Sequence, residues 1–214
     1  MSSIFEQLNN RLAAAAAEAR RSLVRISSGN GRMQGNGSGT IWHTDGLIVT
    51  NAHVVERANL QVTLPSGENV PATVIATDES LDLAALSVEA SGLPTVTAGN
   101  SKQLRPGDWV FAMGHPWGVA GGSTSGVVIG MGADFPELPR TNREWIALSL
   151  HLRPGHSGGP LLDDELRLVG VNTMITGPDV GFAIPVHVVK RFLKERIGVT
   201  EVPQSTPRSR IVTV

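Results

Sequence analysis

Cysteine is absent from the 214 residues, so no disulfide holds the fold together and thiol usage says nothing about a redox compartment. Neither sign of charge prevails. The 18 Lys and Arg and the 19 Asp and Glu leave a formal net charge of −1, and the two signs are interspersed along the chain. No field exists to gather nucleic acid or an anionic membrane, and neither is expected as a partner. Long hydrophobic runs are missing too. The apolar stretch Leu12 to Ala17 is bracketed by Arg11 and Glu18 and is too short for the core of a secretory signal. Arg20 and Arg21 are followed by Arg25 and a strand-like run, not by the apolar segment of a twin-arginine signal. No segment approaches the roughly 18 apolar residues of a membrane span. These absences lead to the expectation of a soluble, cytoplasmic chain without a membrane span.

What the chain does have is turns. Its 24 Gly and 13 Pro exceed the usual share of roughly 12%, without the excess that marks disorder, and a hydrophobic content of 41% is enough to fill one large or two small cores. Residues 3–20 read as a helix, with Ser3 and Glu6 at capping-box spacing and Phe5, Leu8, Leu12, Ala16 and Ala19 on one face. From Leu23 the period shifts towards two. Short runs at 23–26, 39–42, 47–50, 59–64, 72–77, 84–88, 109–113, 123–131, 145–148, 160–162, 168–172 and 181–183 are separated by turn residues such as Asp45-Gly46 and Pro65-Ser66-Gly67. Short strands without interleaved helices predict an all-β protein of two antiparallel six-stranded β-barrels with the active site in the cleft between them. The expected organisation is an N-terminal helix over 1–22, a first barrel over about 23–98, a second over about 104–185, a C-terminal helix over 186–197 between Pro185 and Gly198, and a mobile tail over 199–214.

The most informative segment is Gly155-His156-Ser157-Gly158-Gly159-Pro160. Acyl transfer needs a serine hydroxyl standing clear of the backbone and N–H groups aimed at the developing oxyanion; small neighbours permit both. Ser157 is the candidate nucleophile, and the amides of Gly155 and Ser157 are the candidate oxyanion donors. A Gly-rich serine segment can also be a mere turn, but the full string is more restrictive. A serine hydroxyl needs a nearby base. His53, in the run Leu47 to Val55 that ends in a small-residue turn, is the candidate; chain context alone does not exclude the other five histidines. The orienting acid is assigned to Asp82, whose apolar neighbours Leu81 and Leu83 make a carboxylate costly unless it is hydrogen-bonded. No spacing of His or acids resembles a zinc motif, so neither a metal nor a cofactor is expected.

The segments Gly37-Ser38-Gly39-Thr40, Val49 to Val55, Leu81-Asp82-Leu83-Ala84, Gly107 to Val110, Gly114 to Gly118, Gly155 to Leu161 and Gly181 to Pro185 together resemble the protease domain of the HtrA/Deg family, within the trypsin-like superfamily. The resemblance spans residues 20–195 or so. It implies ATP-independent endoproteolysis of unfolded or damaged polypeptides and assembly into trimers. By alignment with that family, Leu152 and Ile175, with Met174 or Thr176 nearby, would line the pocket for the residue preceding the scissile bond, favouring small to medium aliphatic side chains, and Thr173 would hydrogen-bond Asp82. The chain departs from the family where it has His115 and His156 in place of the usual Asn and where a short tail, not a PDZ module, follows. His156, beside the nucleophile, could make the oxyanion loop sensitive to pH, the alternative being a neutral imidazole that replaces the amide. The tail ending in Val214 is a candidate product-like inhibitor. The competing functional expectation is a catalytically silent, peptide-binding or chaperone-like protein on the same fold.

Overall fold

A computed structural model of the chain describes residues 3–29, 35–135, 138, 143–176 and 180–199; beyond Val199 the proposed inhibitory tail lies outside them. Helix α1 (Ile4–Arg20) opens the chain, its first turn capped by Ser3 Oγ, which accepts the Glu6 amide at 3.1 Å. Six strands follow: β1 (Leu23–Ser28), β2 (Gly35–His43), β3 (Leu47–Thr50), β4 (Gln61–Thr63), β5 (Asn69–Asp78) and β6 (Leu83–Val88). They close into an antiparallel barrel in the order β1-β2-β3-β6-β5-β4. A second set, β7 (Trp109–Gly114), β8 (Gly122–Gly132), β9 (Trp145–Ser149), β10 (Pro160–Leu162), β11 (Leu168–Thr176) and β12 (Val180–Pro185), closes in the order β10-β11-β12-β9-β8-β7. Helix α2 (Val186–Ile197) ends at Gly198, which takes the left-handed conformation at φ +72°. The architecture is the double barrel with two helices that the strand pattern predicts.

Strand alternation explains how two barrels become one body. Ile48 of β3 and Leu86 of β6 point into the first barrel with Val24, Ile26, Ile41 and Val62. The residues that alternate with them, Val49, Leu83 and Ala85, point outward and join Trp42, Met113, Val171 and Phe182 in a shared seam. Helix α2 adds Val188, Val189, Phe192 and Leu193 to that seam. The second barrel has its own core of Val110, Val128, Ile146, Leu148, Leu161 and Ala183. Ala19 of α1 is buried in the seam, and Arg20 Nη2 donates to Gly121 O at 3.2 Å, so this helix packs on its own chain.

The strand limits exceed the predicted runs mainly where apolar alternation is lost. β2 begins at Gly35, four residues before the predicted run, because its Gly-rich start is paired along β1 from Ser28↔Gly35 to Leu23↔Thr40 and not by side-chain pattern. In β11 the register with β12 slips between Asn172↔Ala183 and Met174↔Phe182. Thr173 is therefore the extra residue of a bulge, a device that re-aims a side chain.

Candidate active site

The cleft between the barrels encloses about 480 Å³ and is lined by His53, Glu56 and Arg57 from the first barrel and by Leu152, Gly155, Ser157 and Thr173 from the second, among others. His53 lies in the single helical turn Ala52–Val54 that follows β3. Asp82 lies just before β6, in a left-handed backbone conformation at φ +55°. Because β3 and β6 are paired, Thr50 against Ala84, the residues following one strand and preceding the other meet at the same barrel end. The His53 Nδ1 is 2.9 Å from Asp82 Oδ1 and 3.0 Å from Oδ2, and the His53 amide donates to Oδ1 at 3.2 Å. From the bulge in the opposite barrel, Thr173 Oγ1 donates to Asp82 Oδ2 at 2.5 Å. Asn51 Nδ2 donates to the Asp82 carbonyl at 3.0 Å.

These contacts set the protonation states. The Asp82 hydrogen bond raises the His53 pKa; burial works against it, and the charges of Asp82 and Glu56 reinforce it, so it lies above the ordinary imidazole value. Burial pushes the Asp82 pKa upward, but the hydrogen bonds from His53 and Thr173 and the charge of His53 outweigh that and hold it below the usual carboxylate range. Asp82 is an anion at neutral pH, and its contact with Nδ1 favours the Nδ1–H tautomer of the neutral His53 ring, which leaves Nε2 as the nitrogen able to take a proton.

Ser157 occupies the same cleft, yet its hydroxyl donates to the Thr173 carbonyl at 2.9 Å. The backbone around it is clamped. Ser157 O accepts the Ser38 amide at 2.8 Å, Gly155 O accepts the His115 amide at 2.9 Å, and Pro154 O accepts the Trp117 amide at 3.3 Å. Ser38 Oγ also donates to Gly155 O at 2.7 Å. With its one proton used there, Ser38 Oγ must accept from His115 Nδ1 at 3.0 Å, which fixes the Nδ1–H tautomer of His115. Two positions in this loop require glycine. Gly155 has φ +104°, and a Cβ there would lie 2.3 Å from His115 O; Gly158 has φ +82°, and a Cβ would lie 2.1 Å from both Ser38 O and Thr50 Oγ1.

His115 is buried, and burial, helped by the charges of Arg25 and Arg20 and by His156, lowers its pKa to about 4. His156 is buried as well. Its Nδ1 is 3.0 Å from the Arg153 amide nitrogen and 3.1 Å from the Arg153 carbonyl oxygen, and its Nε2 is buried with no hydrogen-bond partner among the described residues. Burial holds its pKa below the ordinary value, the hydrogen bond to Arg153 opposing and the Arg153 charge assisting. Of the residues expected to line the substrate pocket, Leu152 is buried and lines the cleft, and a Cβ at Gly181 would lie 3.1 Å from its side chain; the side chains of Met174 and Ile175 lie outside the described residues. Ser38, Asn51 and His115 were not singled out by sequence reasoning for these contacts. Their partners lie 31 to 117 residues away, and only the repeated small polar residues near Gly37 hinted at a close backbone approach.

Two closed barrels with a His-Asp pair facing a glycine-flanked serine define the class of trypsin-like serine peptidases. The family model described as trypsin-like peptidase domain matches residues 37–171. A putative serine protease, HhoB, of Synechocystis is 40% identical over 164 residues, covering 74% of this chain and 39% of that protein. The mitochondrial serine protease HTRA2 of Bos taurus is 41% identical over 162 residues, covering 74% and 35%. A probable periplasmic DegP-like serine endoprotease of Chlamydia pneumoniae is 38% identical over 173 residues, covering 75% and 34%. Among solved structures, the HtrA-type protease AlgW with a tripeptide superposes with a TM-score of 0.79 at 29% identity, covering 86% of this chain and 62% of that one. The chain belongs to the trypsin-like peptidases and, within them, to the HtrA type of protease domain. It spans little more than a third of the length of the curated relatives it matches.

These relatives correct the cytoplasmic expectation. Their printed locations are the periplasm and the mitochondrion, which points away from the cytoplasm. The physical reason is that an address segment is separate from the folded domain, so the composition of a cysteine-free double barrel carries no compartment signal. Among the described residues no helix is long and apolar enough to cross a membrane.

Proposed function

We propose that this chain is a serine endopeptidase that hydrolyses peptide bonds of unfolded or damaged polypeptides, with Ser157 as nucleophile, His53 as general base and Asp82 as its orienting anion. The observation that carries the reading is the His53–Asp82 pair at 2.9 Å in the same cleft as Ser157. For attack, the Ser157 hydroxyl turns about χ1 from the Thr173 carbonyl to His53 Nε2. His53 takes the proton as Oγ bonds to the scissile carbonyl carbon, and the imidazolium is stabilised by Asp82. His53 then protonates the leaving amine, and water attacks the acyl-enzyme by the reverse proton path.

The donors for the oxyanion are the amides of Gly155 and Ser157. In a trans peptide N–H and C=O point oppositely, no peptide among the described residues is cis, and the Pro154 carbonyl is committed to Trp117; the Gly155 N–H therefore faces away from Trp117. Leu152 gives the pocket an apolar wall. Among the described lining residues the one carboxylate is Glu56, which belongs to the first barrel beside His53. Among the described residues no carboxylate lines the cleft beside Leu152, and cleavage after Val, Ala, Leu, Ile or Met is the expected preference. His156 acts as a neutral replacement for an amide. The resemblance further carries homotrimeric assembly, which light scattering in solution tests directly.

The decisive experiment is labelling with a fluorophosphonate followed by mass spectrometry of the adduct. Modification at Ser157 that disappears in His53→Ala supports the assignment. A native chain that resists the reagent would be a silent peptide-binding protein instead.

A further inference from the structure

Asp82 occupies a backbone region that a residue with a Cβ holds only where its surroundings impose it. Its own turn supplies part of the restraint, since the Asp82 amide donates to Glu79 O at 3.2 Å. The rest comes from across the cleft. Arg143, just before β9 of the second barrel, donates from Nε to Ser80 O at 2.6 Å and from Nη2 to Glu79 O at 3.0 Å. One guanidinium thus grips two successive carbonyls of the turn that ends in Asp82, a use of its planar fork that a lysine cannot reproduce.

Arg143 is itself well supported. Its guanidinium carbon lies 4.8 Å from the ring centroid of Trp145, a buried residue. The adjacent Glu144 meets His187 Nε2 of α2 at 3.0 Å, and His187 Nδ1 meets the buried Ser101 Oγ at 2.9 Å. The segment from which Arg143 reaches is therefore tied to the second barrel and to α2. At the start of the turn, Asp78 is held by Arg196 of α2 at 2.8 Å. Burial lowers the Arg143 pKa, and the charges of Asp82 and Asp78 oppose that and favour the charged guanidinium.

We propose that Arg143 is a positioning residue for peptide hydrolysis: it registers the Glu79–Asp82 turn of the first barrel against the second, and so fixes the Asp82 carboxylate on His53 and Thr173. The proposal rests on the triad reading above. Arg143 touches no reacting atom and acts only through Asp82. Loosening the turn by a fraction of an ångström would leave the fold standing and misalign the imidazole, a displacement to which reaction rates are sensitive.

The test measures the rate of fluorophosphonate labelling of the full chain against pH, for wild type, Arg143→Gln and Arg143→Lys, with folding checked by circular dichroism at the assay temperature. Besides Asp82, the charge acting on His53 is Glu56 of its own segment, which all three proteins retain. Arg143→Gln is expected to label about tenfold more slowly on the plateau. Its acid limb should move to lower pH, because His53 loses contact with the carboxylate that raises its pKa. Arg143→Lys, which keeps the charge but not the planar fork, should show the same two changes at smaller size and serves if Arg143→Gln does not fold. Folded variants that label at the wild-type rate with the wild-type acid limb, whatever their melting temperature, would reduce Arg143 to a tie between barrels and overturn the proposal. A wild-type chain not labelled at Ser157 overturns the triad reading itself, and that outcome is seen before any variant is compared.

Discussion

Acidification from pH 7 to 5 should destabilise this domain through His115, and the size of the effect follows from its surroundings. In the unfolded chain its imidazole binds a proton at the ordinary value of about 6.5; in the fold, burial and the neighbouring Arg25 and Arg20 defer protonation to about 4. A depressed folded pKa means that the stability is fully present above the unfolded pKa and is lost as pH falls. At pH 5 the unfolded imidazole is almost wholly protonated and the folded one about one tenth so, which amounts to about 2 kcal/mol lost relative to pH 7. The loss continues to about 3 kcal/mol at pH 4, against a total stability of about 5–15 kcal/mol for a domain.

The assay is urea unfolding at pH 7 and pH 5 for wild type and His115→Asn, with the slope of each transition compared as well as its midpoint. Asparagine keeps a donor for Ser38 Oγ but cannot titrate in this range. His156, with its lowered pKa, adds to the acid loss, and His53, with its raised pKa, contributes the opposite trend, stability present below the ordinary value and lost as pH rises through the folded one. Both persist in the variant and cancel in the difference. His115→Asn should therefore lose about 2 kcal/mol less than wild type between the two pH values. Equal losses within about 0.5 kcal/mol, a spread within the usual error of extrapolation, would mean that His115 is not held neutral by the fold.

Ser157→Ala should keep the fold, at a cost of about 1 kcal/mol for the bond to the Thr173 carbonyl. It should lose nearly all turnover on a peptide with an aliphatic residue before the scissile bond, leaving on the order of 10³ over water; near-normal turnover in a preparation free of contaminating protease would refute the nucleophile assignment. Thr173→Val removes the donor to Asp82 while keeping the shape, and should lower stability by about 2 kcal/mol above the Asp82 titration, as loss of a hydrogen bond to a charge predicts; unfolding at pH 7 checks it. Gly158→Ala should destabilise by more than about 2 kcal/mol, because the left-handed backbone and the contacts with Ser38 O and Thr50 Oγ1 leave no room for a methyl group; soluble expression with an unchanged urea midpoint would contradict the packing described for this loop.

Strand alternation made the architecture legible: β3 and β6 show the same two-residue period that sorts Ile48 and Leu86 into a barrel and Val49 and Leu83 into the seam. Residues of the proposed site also stand out locally. Ser157 announces itself by its glycine neighbours, and Asp82 by a charge among apolar residues. What escaped was pairing at a distance. Nothing in the run around Ser38 shows that its hydroxyl holds a carbonyl 117 residues later, and nothing around Arg143 shows that it reaches back 63 and 64 residues to the turn of Asp82. The Gly-rich start of β2 escaped because backbone pairing leaves no hydrophobic signature there.

The bulge at Thr173 joins the two halves of the proposed site, and its carbonyl holds the resting hydroxyl of Ser157. The extra residue lets Thr173 face the cleft with both its side chain and its carbonyl: Oγ1 donates to Asp82 of the first barrel, and the carbonyl accepts from Ser157 of the second. A neutral hydroxyl–carbonyl bond is worth about 1 kcal/mol net, and staggered χ1 wells of serine interconvert freely. Leaving the Thr173 carbonyl therefore reduces the population of the attacking rotamer by a factor of about five, small beside any chemical barrier. By contrast, the Asp82 side of the bulge is a charge-assisted contact at 2.5 Å supported by the His53 ring and amide. The carboxylate and imidazole are thus held by several bonds while the proposed nucleophile is held by one, and the side chain that must move during the proposed reaction is the more lightly restrained.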